Sequence, residues 1–128
     1  MKFLCLGYYE EKKFEALPRE ELAKIVNKCK VHDETLYRGG KMKLVASLAP
    51  TRASKAVRPK NGKPFVTDGP YAETKEQLGS FFIIEADNLE EATAEASKHP
   101  AAHLGEELGW GIEVRPIEFF KEGEFEGV

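Results

Sequence analysis

Cysteine is scarce in this chain: Cys5 and Cys29 are the two present, with no framework spacing between them. A disulfide scaffold is excluded, and reduced thiols in a cytoplasmic protein are the expectation. Long hydrophobic runs are also missing. No stretch approaches the roughly 18 apolar residues that a membrane-crossing helix needs, so no membrane partner is expected. The segment from Met1 to Tyr9 is too short for a signal-peptide core, lacks a small-residue cleavage site, and reads as a buried strand. Charge is not dominated by one sign: 19 Lys and Arg stand against 22 Asp and Glu, for a formal charge of −3. With the cations scattered, nucleic acid is not an expected partner. Even the basic stretch Arg52 to Lys63 reads as a solvated hairpin. Gly-rich phosphate loops, Gly-x-Ser-x-Gly, His-Glu-x-x-His and Cys-x-x-Cys are absent, so no cofactor and no metal are expected.

What is present fits one domain. The 128 residues allow a real core but not two. Residues 2–9 form the first strand. A helix follows from about Pro18 to Tyr37, with Glu20 and Glu21 near its positive end and Gly39-Gly40 as its stop. Its apolar stripe is Leu22, Ile25, Val26, Cys29 and Leu36. Continuing that stripe through the gap reaches His32 and Asp33, a polar pair at the edge of the buried face.

Residues 41–49 form a second strand. Residues 54–59 and 63–67 flank Asn61-Gly62, which supplies both positive-φ centres of a tight hairpin turn. Pro59 and Pro64 confine that hairpin to an edge or to short pairing. A loop over 68–78 leads into the strand Ser80–Ala86. Asp87 with Glu90 and Asn88 with Glu91 are overlapping capping boxes for a second helix ending near Lys98. Its face of Leu89, Ala92 and Ala96 is small enough to approach a sheet closely. Trp110 to Phe120 is the last strand. From Lys121 a Gly- and Glu-rich tail is expected to be mobile, which divides the chain into a domain over 1–120 and a tail over 121–128. The order βαββαβ is that of a ferredoxin-like α+β sandwich, here with an inserted β-hairpin.

The run Thr67-Asp68-Gly69-Pro70-Tyr71-Ala72-Glu73-Thr74-Lys75-Glu76-Gln77-Leu78-Gly79 carries the most specific signal. Together with Phe81-Phe82-Ile83-Ile84-Glu85 and Asn88-Leu89-Glu90-Glu91-Ala92, it resembles the DGPF proteins of the YCII-related family, where Phe more often stands at Tyr71. The resemblance covers essentially the whole chain. It implies a dimeric α/β barrel, a homodimer in which two sheets pack face to face. The aromatic residues Tyr8, Phe81, Phe82, Phe119 and Phe120 offer apolar surface for that burial.

In one branch of the family a His on the first helix and an Asp after the second form an acid–base dyad. The resemblance puts Cys29 and His99 at those two positions, so both depart from the pattern. A thiol beside an imidazolium is an activated nucleophile, which makes Cys29 and His99 the catalytic candidates. A position at a helix end would also favour the cationic form of His99. His32, Asp33, Asp68 and Tyr71 are pocket candidates, the last two because polar residues crowded beside an apolar sheet suit a small-molecule site. His99-x-x-x-His103 is interrupted by Pro100 and is not a metal signature. Two functions stay open: a cofactor-independent lyase or isomerase, and a ligand-binding or regulatory module. The second follows the link between some DGPF proteins and extracytoplasmic-function sigma factors or stress signalling.

Overall fold

Along residues 2–7, buried Phe3, Cys5 and Gly7 alternate with half-buried Lys2, Leu4 and Leu6, the two-residue period of a strand with two different faces. The computed structural model describes residues 1–123 and Phe125. Strands β1 (Lys2–Glu10), β2 (Met42–Ser47), β5 (Glu76–Glu85) and β6 (Gly111–Pro116) form one antiparallel sheet in the order β2-β5-β1-β6. Helices α2 (Arg19–Arg38) and α3 (Leu89–Ala96) complete the ferredoxin-like α+β fold, and a short α1 (Glu11–Glu15) follows β1. Strands β3 (Lys55–Lys60) and β4 (Lys63–Asp68) are the inserted hairpin, a separate two-stranded sheet. Asn61 (φ 53°) and Gly62 (φ 75°) make its turn as expected.

The core lies on the helix side of the sheet. Phe3, Cys5, Phe82 and Ile84 project from β1 and β5 and meet Ala86, Ala92 and Ala96 with Leu36. Small alanines let α3 sit close to the strands. Asn88 caps α3, its carboxamide oxygen accepting from the Glu91 amide at 2.8 Å, so the second of the two capping boxes is the one used. Helix α2 is held differently: Leu36 near its C-terminal end is its one buried residue. Leu22, Ile25, Cys29, His32 and Asp33 are half-buried, and Val26, on the flank of that stripe, is exposed.

Several boundaries differ from the sequence reading. Strand β5 starts at Glu76 rather than Ser80, because β1 runs on to Glu10 and keeps pairing with it. Helix α1 is unexpected. Helix α3 stops at Ala96, and short 3-10 turns at Pro100–Ala102 and Glu106–Leu108 fill the path to β6. Strand β6 ends at Pro116, which has no N–H to continue the ladder, leaving Phe119 and Phe120 exposed. The tail expected from Lys121 falls partly on residues 124 and 126–128, outside the described residues. Among the described residues no helix is long and apolar enough to cross a membrane.

Gly69 closes the base of the hairpin at φ +95°, with its N–H donating to the Ser54 carbonyl at 2.8 Å. A β-branched residue is strained in that conformation. Gly69→Val should therefore cost about 1–3 kcal/mol of stability, read as a lower denaturant midpoint at unchanged slope.

Candidate functional site

Side-chain bulk runs out at one end of the sheet. On the helix-facing side, Phe3 and Cys5 are followed by Gly7, and across the ladder Gly7 pairs with Ser80, which pairs with Ser47. Gly7 has no room for a side chain, since an added Cβ would collide with Ser80 Oγ. Gly79 has the Tyr9 ring where its own Cβ would stand, 2.8 Å away. With only glycine and serine beneath it, the middle of α2 has little to pack on. A cleft of about 390 Å³ remains there.

Side chains from several elements wall the cleft. Cys29, Asp33 and Tyr37 come from α2 at four-residue spacing, hence one helix face. Val45, Ser47 and Leu48 come from β2 and its exit. Tyr9, Phe14 and Trp110 form an aromatic side: Tyr9 meets Phe14 edge-on at 5.6 Å, and Phe14 lies 6.4 Å from Trp110. His99, Pro100 and Ala101 complete the lining. Room for the indole depends on Gly105 (φ +74°), where a Cβ would enter the Trp110 ring.

His99 and Cys29 share this cleft, but neither is in the form a reactive pair needs. The His99 ring stacks parallel on Phe82 with centroids 5.1 Å apart. Burial lowers its pKa to about 4, so it is neutral at pH 7. This overturns the expected cation: the chain leaves α3 at Ser97, and His99 lies in extended backbone beyond the helix end. Its Nδ1 accepts from the Ala101 amide at 3.0 Å, which puts the proton on Nε2. Burial, then the charge of Asp33, raises the Cys29 pKa. No hydrogen bond joins Cys29 to His99 among the described residues. The thiolate–imidazolium state is disfavoured from both sides. Burial raises the Asp33 pKa, partly offset by His32.

Tyr9 is committed elsewhere. Its hydroxyl donates to Glu11 Oε2 at 3.0 Å, and burial followed by Glu11 pushes its pKa up to about 12. Glu11 in turn accepts from the Thr51 amide at 2.9 Å and from the Thr51 hydroxyl, tying the start of α1 to the turn that precedes the hairpin.

The remaining sequence candidates lie apart from the cleft. His32, one residue and about 100° around the helix from Asp33, stacks instead on His103 at 4.6 Å. His103 Nε2 meets the Ser97 carbonyl oxygen at 2.6 Å, so His99 and His103 have different partners. No group of three His, Cys, Asp or Glu side chains is placed to hold a metal ion among the described residues. Asp68 is exposed and pairs with Lys55 at 2.5 Å. Tyr71 is exposed beneath the Arg58 guanidinium, 3.8 Å from its ring centroid. Neither lines the cleft, because the hairpin pairs only with itself and holds the start of the 69–75 loop away from the main sheet. Sequence reasoning missed Tyr9, Phe14, Tyr37, Ser80 and Trp110. Only Tyr37 had a readable signal, four residues beyond Asp33 and eight beyond Cys29.

The YCII-related domain profile matches residues 1–121. The chain belongs to the YCII-related family. It is 34% identical over 124 residues to an uncharacterized protein of Rhizobium meliloti (strain 1021), across 97% of this chain and 98% of that protein. In this YCII-related chain the two positions that the resemblance singled out lie on one cleft and hold an unactivated thiol and a neutral imidazole.

Two consequences are measurable. Iodoacetamide should modify half-buried Cys29 before Cys5, whose buried thiol is pushed up to about 12. His99→Ala should change the Cys29 rate by less than about twofold, since no imidazolium activates it. A large slowing would restore the reactive pair. Second, an unfolded His titrates near 6.5 while native His99 titrates near 4. The unfolded chain therefore binds the extra proton first, and stability falls as pH drops from about 6.5 toward 4. Allowing for partial exposure, the loss should be on the order of 2 kcal/mol, be absent in His99→Gln, and coincide with a low NMR titration midpoint for His99.

Proposed function

We propose that this chain binds a small, largely apolar molecule in the cleft between α2 and the β1–β5 end of the sheet. The convergence of Cys29, Asp33, Tyr37, His99 and Trp110 on one opening of about 390 Å³ carries this reading. That size and lining suit a ligand pocket. The raised proton affinity of Asp33, opposite a neutral His99 that keeps a proton on Nε2, favours a second reading. In it, Asp33 accepts and His99 donates a proton, the chemistry of a cofactor-independent lyase or isomerase. Thiolate attack by Cys29 has no such support. Its two unpaired thiols also suit a reducing, cytoplasmic setting.

One experiment separates these readings. Small-molecule fragments that bind should protect Cys29 from alkylation in proportion to their occupancy. Carbonyl compounds among them that exchange C–H protons with D₂O only in the presence of the protein, and not with Asp33→Asn, identify proton transfer. Protection without exchange identifies a binding module. Fragments that bind without protecting Cys29 place the ligand elsewhere.

The same reading includes a second copy of the chain. The sheet face opposite the helices carries Leu4, Leu6, Leu44, Ala46, Phe81 and Ile83 by register. Among the described residues no helix packs on that side, and an apolar sheet face gains by being covered. Mass measurement in solution should give about twice the 14.3 kDa chain mass, and a monomer at micromolar concentration would overturn the homodimer.

A further inference from the structure

The cleft has an unusual balance of charge for its size. Among the described residues that line it, Asp33 is the one of formal charge, since His99 is neutral, and no Lys or Arg is included. Lys13 and Lys75 both reach the Glu10 carboxylate, at 3.2 and 3.4 Å, and neither is among the lining residues. A carboxylate or phosphate entering the cleft would therefore meet no countercharge and would face Asp33. Its desolvation would go uncompensated.

A positive head group meets the opposite situation. Tyr9, Phe14 and Trp110 are in successive ring-to-ring contact along one wall, and Tyr37 enters from α2, one turn beyond Asp33 on the same face. Aromatic faces attract a cation through their quadrupole, most strongly where water is excluded, and Trp is the best of them. A methylated ammonium carries few or no N–H groups and so asks little of hydrogen-bond acceptors, which suits a wall made chiefly of aromatic rings. A single carboxylate then balances the charge without a specific hydrogen bond.

We propose that the cleft selects an organic ammonium compound, held by the Tyr9–Phe14–Trp110 wall and Tyr37 with Asp33 as counter-ion. This names the ligand class of the cleft and rests on the cleft being the ligand site, not on proton transfer there.

Trp110 is the single tryptophan of the chain, so its fluorescence reports on this wall directly. Three probes of matched shape separate the charge states: choline, its neutral carbon isostere 3,3-dimethylbutan-1-ol, and the anion 3,3-dimethylbutanoate. Choline should change Trp110 emission at a concentration about tenfold lower than the alcohol, with the carboxylate weakest. Asp33→Asn should weaken choline several-fold more than it changes the alcohol, which removes most of that preference. Tyr37→Leu, at a half-exposed position that burdens folding little, should weaken choline more than the alcohol. If the alcohol binds as well as choline, or the anion binds best, the ammonium class is overturned while the cleft stands as a ligand site. If none of the three alters Trp110 emission or protects Cys29, the ammonium class fails. Protection of Cys29 by other fragments then decides whether the cleft reading fails with it.

Discussion

The parallel stack of His99 on Phe82 joins the core to the cleft, and both depend on it. Phe82 is fully buried among Phe3, Cys5 and Ile84, so one face of the imidazole rests on the hydrophobic core. That contact takes the ring out of water and keeps it neutral. The Ala101 amide on Nδ1 then fixes the ring's orientation and its tautomer. The same amide belongs to the turn that carries Pro100 and Ala101 into the cleft wall. One stacking contact thus sets the charge state of the site, the direction of its remaining N–H and part of its boundary.

Magnitudes explain why the charge of His99 was misread from the sequence. A cation at a helix end gains typically 0.3–1 kcal/mol at exposed positions. Burial moving the pKa from 6.5 to about 4 corresponds to roughly 3 kcal/mol against the cation before any discount for exposure. Burial wins. Only the stack on Phe82, from a strand well separated in sequence, reveals it.

Most of the fold was legible because its signals are local. The strand period in residues 2–7, the Asn61-Gly62 turn and the Asn88 cap each appear in the structure where the residues place them. Helix α1 was not legible, since five residues contain too little periodicity to read. It is fixed by tertiary contact, with Phe14 touching both Tyr9 and Trp110. The site divides the same way. Cys29 and Asp33 are readable as one face of α2, and His99 as the residue before Pro100, although α3 has already ended at Ala96. The aromatic wall joins residues 9, 14 and 110, a meeting no spacing rule announces. Asp68 and Tyr71 were plausible by composition, yet the hairpin's self-pairing keeps them off the cleft.

The way α2 is attached links binding to stability. Leu36 anchors its C-terminal end, while Cys29, Asp33 and Tyr37 span an opening floored by Gly7, Gly79 and Ser80. The helix therefore lacks, in its middle, the packing that a filled core would supply. A ligand touching Asp33 or Tyr37 on one side and His99 or Trp110 on the other would replace that missing contact. Whatever binds the closed arrangement in preference to one with α2 displaced must stabilise it by mass action, in proportion to the logarithm of ligand concentration. The absence of bulk at three positions on two strands accordingly has two effects at once. It opens the cleft, and it leaves the helix above the cleft short of packing in its middle.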